Sequence, residues 1–127
     1  ESFAGWYARI IQRLKAMQPK ARFFLMTMLS NGDEAHDQIV RDHAALLHNF
    51  AKLFDFTYVL DFAAYGPVED AEYRRNFYLH GHLNPAGYLL TSRLVAAYLD
   101  YIIRHNPEDF TQVGFIGTPY HSEEAKW

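Results

Sequence analysis

Two short apolar runs, Phe23–Leu29 and Thr57–Phe62, with a long helical pattern between them, constrain this chain more than any other feature. The first run is broken only by Thr27, and the second reads TYVLDF, rich in β-branched and aromatic residues. Runs of this length fit strands buried on both faces, as in a parallel sheet. Between them, over residues 34–54, Ile39, Val40, Leu46, Leu47, Phe50 and Phe54 fall on one helical face. A strand, a helix and a second strand imply a helical crossover and parallel pairing.

The flanks extend the same pattern. Over residues 3–18, Phe3, Trp6, Tyr7, Ile10, Ile11, Leu14 and Met17 recur at helical spacing, and Gln18-Pro19 ends the run. Ser30-Asn31-Gly32-Asp33 is a turn signal. Residues 63–83 read as a long loop, the kind that is usually functional or disordered in a compact domain. Asn84-Pro85 opens a third helix as N-cap and first helical residue, with Tyr88, Leu94, Val95, Tyr98, Leu99, Ile102 and Ile103 on its buried side. Val113–Gly117 reads as a short packed segment and Thr118–Trp127 as a surface tail. The fold class is therefore α/β. Two strands alone do not make a stable open sheet. The chain is expected to pair with further strands or with other copies of itself, and a stable monomer of these residues would contradict that.

Composition removes several function classes. Half of the 127 residues are hydrophobic and 17% are aromatic, enough for a packed core rather than disorder. A net charge of −3 with no Lys/Arg run leaves no nucleic-acid footprint. There is no cysteine, so disulfides and a cysteine nucleophile are excluded. No apolar run approaches the roughly 20 residues that span a bilayer. The chain starts directly in a helical pattern, which reads as an internal segment. Any export signal would then lie upstream, and the localisation stays undecided.

The sharpest chemical feature is His80-Gly81-His82-Leu83-Asn84-Pro85-Ala86-Gly87-Tyr88, after a strand and immediately before a helix. Sites in open α/β sheets lie beyond the carboxyl ends of the strands. A neutral imidazole at His82 can take a proton from a nucleophilic hydroxyl and return it to a leaving group. The plainer reading is a histidine that packs or caps at a helix start. His80 can line a cleft or simply sit in a solvated loop. The spacing of His80 and His82 matches no metal-ligand motif, and no compact carboxylate cluster accompanies them, so no metal is expected. Ser30 follows a strand but lacks a nucleophile elbow, and it reads as a turn serine.

HLNPAGY resembles the last signature block of the SGNH/GDSL hydrolases, in which a catalytic histidine precedes a small-residue helix start. ESFAGWYARIIQRLKAMQPKARFFLMTM resembles the helix and strand that follow the family's asparagine block. The stretch from YVLDF to GFIG resembles the C-terminal end of a group of gut-bacterial members. The resemblance implies a three-layer α/β/α flavodoxin-like fold with a parallel sheet, of which residues 1–127 are the C-terminal part. It implies a serine ester hydrolase acting on an acyl or acetyl ester of a carbohydrate or lipid, without a cofactor, with His82 as general base. The family's GDS-like serine block, and the blocks holding its oxyanion-hole glycine and asparagine, have no counterpart here. The serine would come from a missing N-terminal segment or a second chain.

One position departs from the family. Its members place an aspartate three residues before the histidine, and here that residue is Leu79. Asp61, at the end of the second apolar run, is the best placed replacement, ahead of Glu69, Asp70 and Glu72. Its plainer role is to hydrogen-bond loop backbone. If Asp61 orients His82, Asp61→Asn lowers turnover without unfolding the enzyme. Tyr73, Arg74, Arg75 and Asn76 either touch substrate or are solvated. The competing reading is a degenerate, non-catalytic SGNH-like module for binding or assembly, which Leu79 favours.

Overall fold

A computed structural model describes residues 2–66, 70–80 and 82–110. Glu69 and the segment from Val113 onward lie outside the described residues. The fold is mixed α/β and mostly helical, with a short parallel sheet of two strands. In chain order the elements are α1 (Phe3–Met17), β1 (Phe23–Met26), α2 (Glu34–Leu53), β2 (Thr57–Leu60), α3 (Phe62–Tyr65), α4 (Ala71–Phe77), β3 (Tyr78–Leu79), β4 (His82–Leu83) and α5 (Pro85–His105). A 3-10 turn over Pro107–Phe110 follows.

β1 and β2 pair in parallel, with Phe24 beside Tyr58 and Leu25 beside Val59. The pleat sends these two pairs to opposite faces. Leu25 and Val59 meet Ile11 of α1 and Leu47 and Phe50 of α2. Phe24 and Tyr58 pack with Leu60, Phe62, Ile102 and Phe110, against Leu94, Val95, Tyr98 and Leu99 of α5. Helices thus cover both faces of the strand pair. That is why both runs had to be apolar throughout.

The helix starts follow their capping residues. Ser2, Asp33, Asp61, Asp70 and Asn84 each accept a backbone N–H three residues on, one at the start of each helix. Asn84-Pro85 opens α5 as the sequence implies, and α5 runs to His105.

Two expectations need correction. Residues 63–83 are not one loop: they hold most of α3, all of α4 and a hairpin of β3 and β4. The strands of the hairpin are two residues each, too short for an alternating pattern to register. Several aromatic residues at helical spacing are also not core. Phe3 and Trp6 are exposed, as are Ile39, Tyr88 and Ile103. Their apolar stripes are wider than the surface that the described elements cover.

Candidate functional site at the carboxyl ends of the strands

β1 ends at Met26, and Thr27 locks that end to β2. Its N–H donates to the Leu60 carbonyl at 3.1 Å, and its Oγ1 accepts the Ala63 N–H at 2.8 Å. The chain then turns through Ser30–Asp33 into α2. The buried Asp37 shapes this turn: its two carboxylate oxygens accept the N–H groups of Asn31 (2.9 Å) and Gly32 (3.1 Å). Gly32 has φ 86°, and a Cβ there would lie 2.9 Å from the Arg74 guanidinium carbon. A side chain at position 32 would therefore push Arg74 away as well as strain the backbone.

Arg74 comes from α4. With Asn31, Gly32, His36 and Tyr78 it lines an open cleft of about 640 Å³. The cleft lies beyond the carboxyl end of β1, where parallel α/β sheets place their sites. Burial pushes the Tyr78 phenol above its ordinary value, and the nearby Tyr73 and Tyr88 add to that shift. Such a tyrosine stays a neutral hydrogen-bond donor and acceptor at neutral pH.

Tyr78 opens the hairpin that carries His82. Tyr78 pairs with Leu83 and Leu79 pairs with His82 in an antiparallel ladder. His80 leaves β3 with φ 48°, the left-handed value that a two-residue hairpin turn demands. The hairpin is anchored at its base. The Asn84 N–H donates to the Phe77 carbonyl at 2.7 Å, its Nδ2 donates to the Asn76 carbonyl at 2.8 Å, and its Oδ1 accepts the Gly87 N–H at 2.9 Å. One asparagine therefore ties α4, the hairpin and α5 together two residues from His82.

His82 and His80 are both exposed. Neither lines the cleft beside Tyr78. Among the described residues His82 makes no side-chain hydrogen bond and no ion pair, so no hydroxyl or carboxylate engages its imidazole there. Leu79, three residues before His82, shares a hairpin face with it by the ladder's alternation.

Asp61 directly follows β2 and is buried, with both carboxylate oxygens engaged. Oδ1 accepts the Ala64 N–H at 3.0 Å and caps α3; Oδ2 meets His48 Nε2 at 2.7 Å. The structure brings Asp61 to His48 of α2, not to His82. His48 was not singled out in the sequence. Its partner is 13 residues away and meets it only once α2 has packed on β2, so no local spacing signals the pair. Ser30 is buried, and Asp70 caps α4 through the Tyr73 N–H. Among the described residues there is no group of three His, Cys, Asp or Glu side chains that could hold a metal ion. No described helix is long and apolar enough to cross a membrane.

Comparison with family models, with curated proteins and with solved structures finds no match to this chain.

Proposed function

We propose that this chain is the histidine-bearing part of an SGNH/GDSL-type serine ester hydrolase, within a three-layer α/β/α flavodoxin-like domain whose parallel sheet extends beyond β1 and β2. The observation that carries this reading is the setting of His82. Its imidazole is exposed, it lies in the HLNPAGY segment, and it is anchored by Asn84 directly ahead of α5. A serine from a segment outside these residues attacks the acyl carbonyl. His82 takes the hydroxyl proton as the bond forms and gives it to the departing alkoxide. Water then repeats the sequence on the acyl-enzyme, with His82 again as base. The substrate class is an acyl or acetyl ester on a carbohydrate or lipid.

Leu79 favours a second reading, a non-catalytic relative that binds or assembles. Loss of the orienting acid lowers the rate by about 10⁴ in a serine triad when the imidazole tautomer is wrong. A fluorophosphonate probe separates the two readings. The hydrolase incorporates it at one serine of the intact gene product, and His82→Ala abolishes the labelling. Absence of labelling in the intact, folded protein supports the binding module instead.

A further inference from the structure

Tyr65, at the end of α3, stands beside Tyr98 and Tyr101 of α5. With Leu94 and Ala97 these tyrosines line an open groove of about 500 Å³, which shares no lining residue with the cleft beside Tyr78. The four α5 residues recur at spacings of three and four, so they occupy one face of the helix. An aromatic-walled groove of this size is in the range of small-molecule sites.

The rings are set at steep angles. Tyr65 and Tyr98 are inclined at 89° with centroids 6.3 Å apart, and Tyr98 and Tyr101 at 55° and 6.4 Å. They make the walls of a corner, not a flat platform. A sugar ring stacks on a platform and needs directed polar partners, whereas the only polar side-chain groups lining this groove are the phenol hydroxyls. A corner of ring faces suits a compact, rounded cation, which each face attracts out to about 6 Å. The walls are held in place. Tyr98 packs against the buried cluster of Leu60, Phe62, Ile102 and Phe110. His105 stacks on Tyr101 at 3.9 Å. Behind Tyr65, a Cβ at Gly66 would lie 2.4 Å from the Phe62 carbonyl oxygen, so the chain turns away there only as glycine. Yet Tyr65 and Tyr101 are 71% and 56% exposed, so neither ring is spent on the core.

Charge complements that shape. Among the described residues no charged side chain lines the groove. Arg104, about one turn beyond Tyr101, is paired with Asp100 at 2.8 Å. Burial pushes the Tyr98 phenol above its ordinary value, and the Asp61 carboxylate adds to that. A field that disfavours a phenolate favours a bound cation. A primary ammonium holds its water tightly, and ring faces cannot replace that water. A trimethylammonium group shows methyl groups to the rings and keeps its charge, so it gives up little hydration.

We propose that this groove binds the trimethylammonium head of a soluble small molecule, with Tyr65, Tyr98 and Tyr101 as its walls. The assignment does not rest on the hydrolase reading and holds equally for a non-catalytic protein.

Choline titrated into the intact gene product, followed through the aromatic-ring NMR signals, tests it. The ring signals of Tyr65, Tyr98 and Tyr101 shift together and saturate, with a Kd of about 1 mM or tighter. The uncharged carbon isostere of choline, with a tert-butyl group in place of trimethylammonium, binds at least ~10-fold more weakly. Tyr65→Ala and Tyr101→Ala, at exposed positions, each weaken choline binding by ~3-fold or more, and Tyr65→Phe keeps it within about twofold. Absence of a saturable shift by roughly 20 mM choline overturns the proposal. Equal affinity for the isostere overturns it in favour of a plain apolar groove, and choline binding unchanged in both alanine variants places the site elsewhere. Binding of phosphatidylcholine vesicles without binding of choline also overturns it, in favour of a lipid surface.

Discussion

Leu79 faces His82 across the two-residue β3–β4 ladder, as its direct cross-strand partner. Cross-strand neighbours bring their Cβ atoms to roughly 4.5–5.5 Å. An aspartate three residues before the histidine is thereby placed beside the imidazole by hairpin geometry alone. Here the position holds a leucine, which is 58% exposed.

Leu79→Asp should therefore supply an orienting acid without repacking a core. Stability should change by no more than about 0.5 kcal/mol, as for most exposed positions. On the hydrolase reading, ester turnover should rise by at least roughly tenfold, against the ~10⁴ that a misoriented histidine can cost. Unchanged turnover in the folded variant would contradict an orienting role for an acid at position 79.

Asp61 carries a structural duty, because its carboxylate holds both the Ala64 N–H and His48 Nε2. Asp61→Ala is expected to destabilise the fold by about 1–3 kcal/mol in urea denaturation, through loss of the cap and of the histidine bond. A double-mutant cycle with His48→Ala should give a coupling of at least about 0.5 kcal/mol. If Asp61→Asn instead cuts kcat by orders of magnitude at unchanged stability, Asp61 acts on His82 after all.

Asn84 links three elements through its N–H, its Nδ2 and its Oδ1. Replacement by alanine should cost about 1–2 kcal/mol, the upper range for an N-cap. On the hydrolase reading it should also lower ester turnover more than a stability loss of that size explains, since it loosens the base of the His82 hairpin. Asn84→Asp is the comparison: it keeps the Gly87 acceptor but sets a carboxylate oxygen against the Asn76 carbonyl, so it breaks the tie to α4 while sparing the cap of α5.

Tyr58 gives the fold an alkaline limit. Burial, and then its hydrogen bond to Asp109, pushes the phenol far above the ordinary tyrosine value. The folded state favours the protonated phenol. Its contribution is complete below the unfolded value of about 10 and is lost as pH rises from there through the folded value. Stability curves should therefore bend downward above about pH 10. Tyr58→Phe should be less stable at pH 7 by about 1 kcal/mol and should show a shallower alkaline decline. Parallel declines for the two proteins would remove Tyr58 as the cause.

Much of this architecture is legible in the sequence, for physical reasons that differ by element. β1 and β2 announce themselves because strands covered on both faces must be apolar at every position, as Leu25 beside Phe24 and Val59 beside Tyr58 show. The start of α5 is readable because a cap acts within four residues, from Asn84 to Gly87. The hairpin around His82 is not readable from periodicity, since two-residue strands carry none. His80-Gly81 between Tyr78-Leu79 and His82-Leu83 is the one signal for it, a turn-prone dipeptide of hairpin length. The His48–Asp61 pair depends on how α2 lies against β2, and no local pattern encodes that. The exposed stripe of α1 looks like core in the sequence because it has the composition of a buried surface.

The proton-transfer role of His82 is the central claim, and steady-state hydrolysis of p-nitrophenyl acetate by the intact, serine-bearing protein tests it most directly. His82→Ala should reduce kcat by at least ~10³ with the fold intact by circular dichroism, as loss of the base does in serine hydrolases. Activity in His82→Ala within a few-fold of the parent would contradict the assignment.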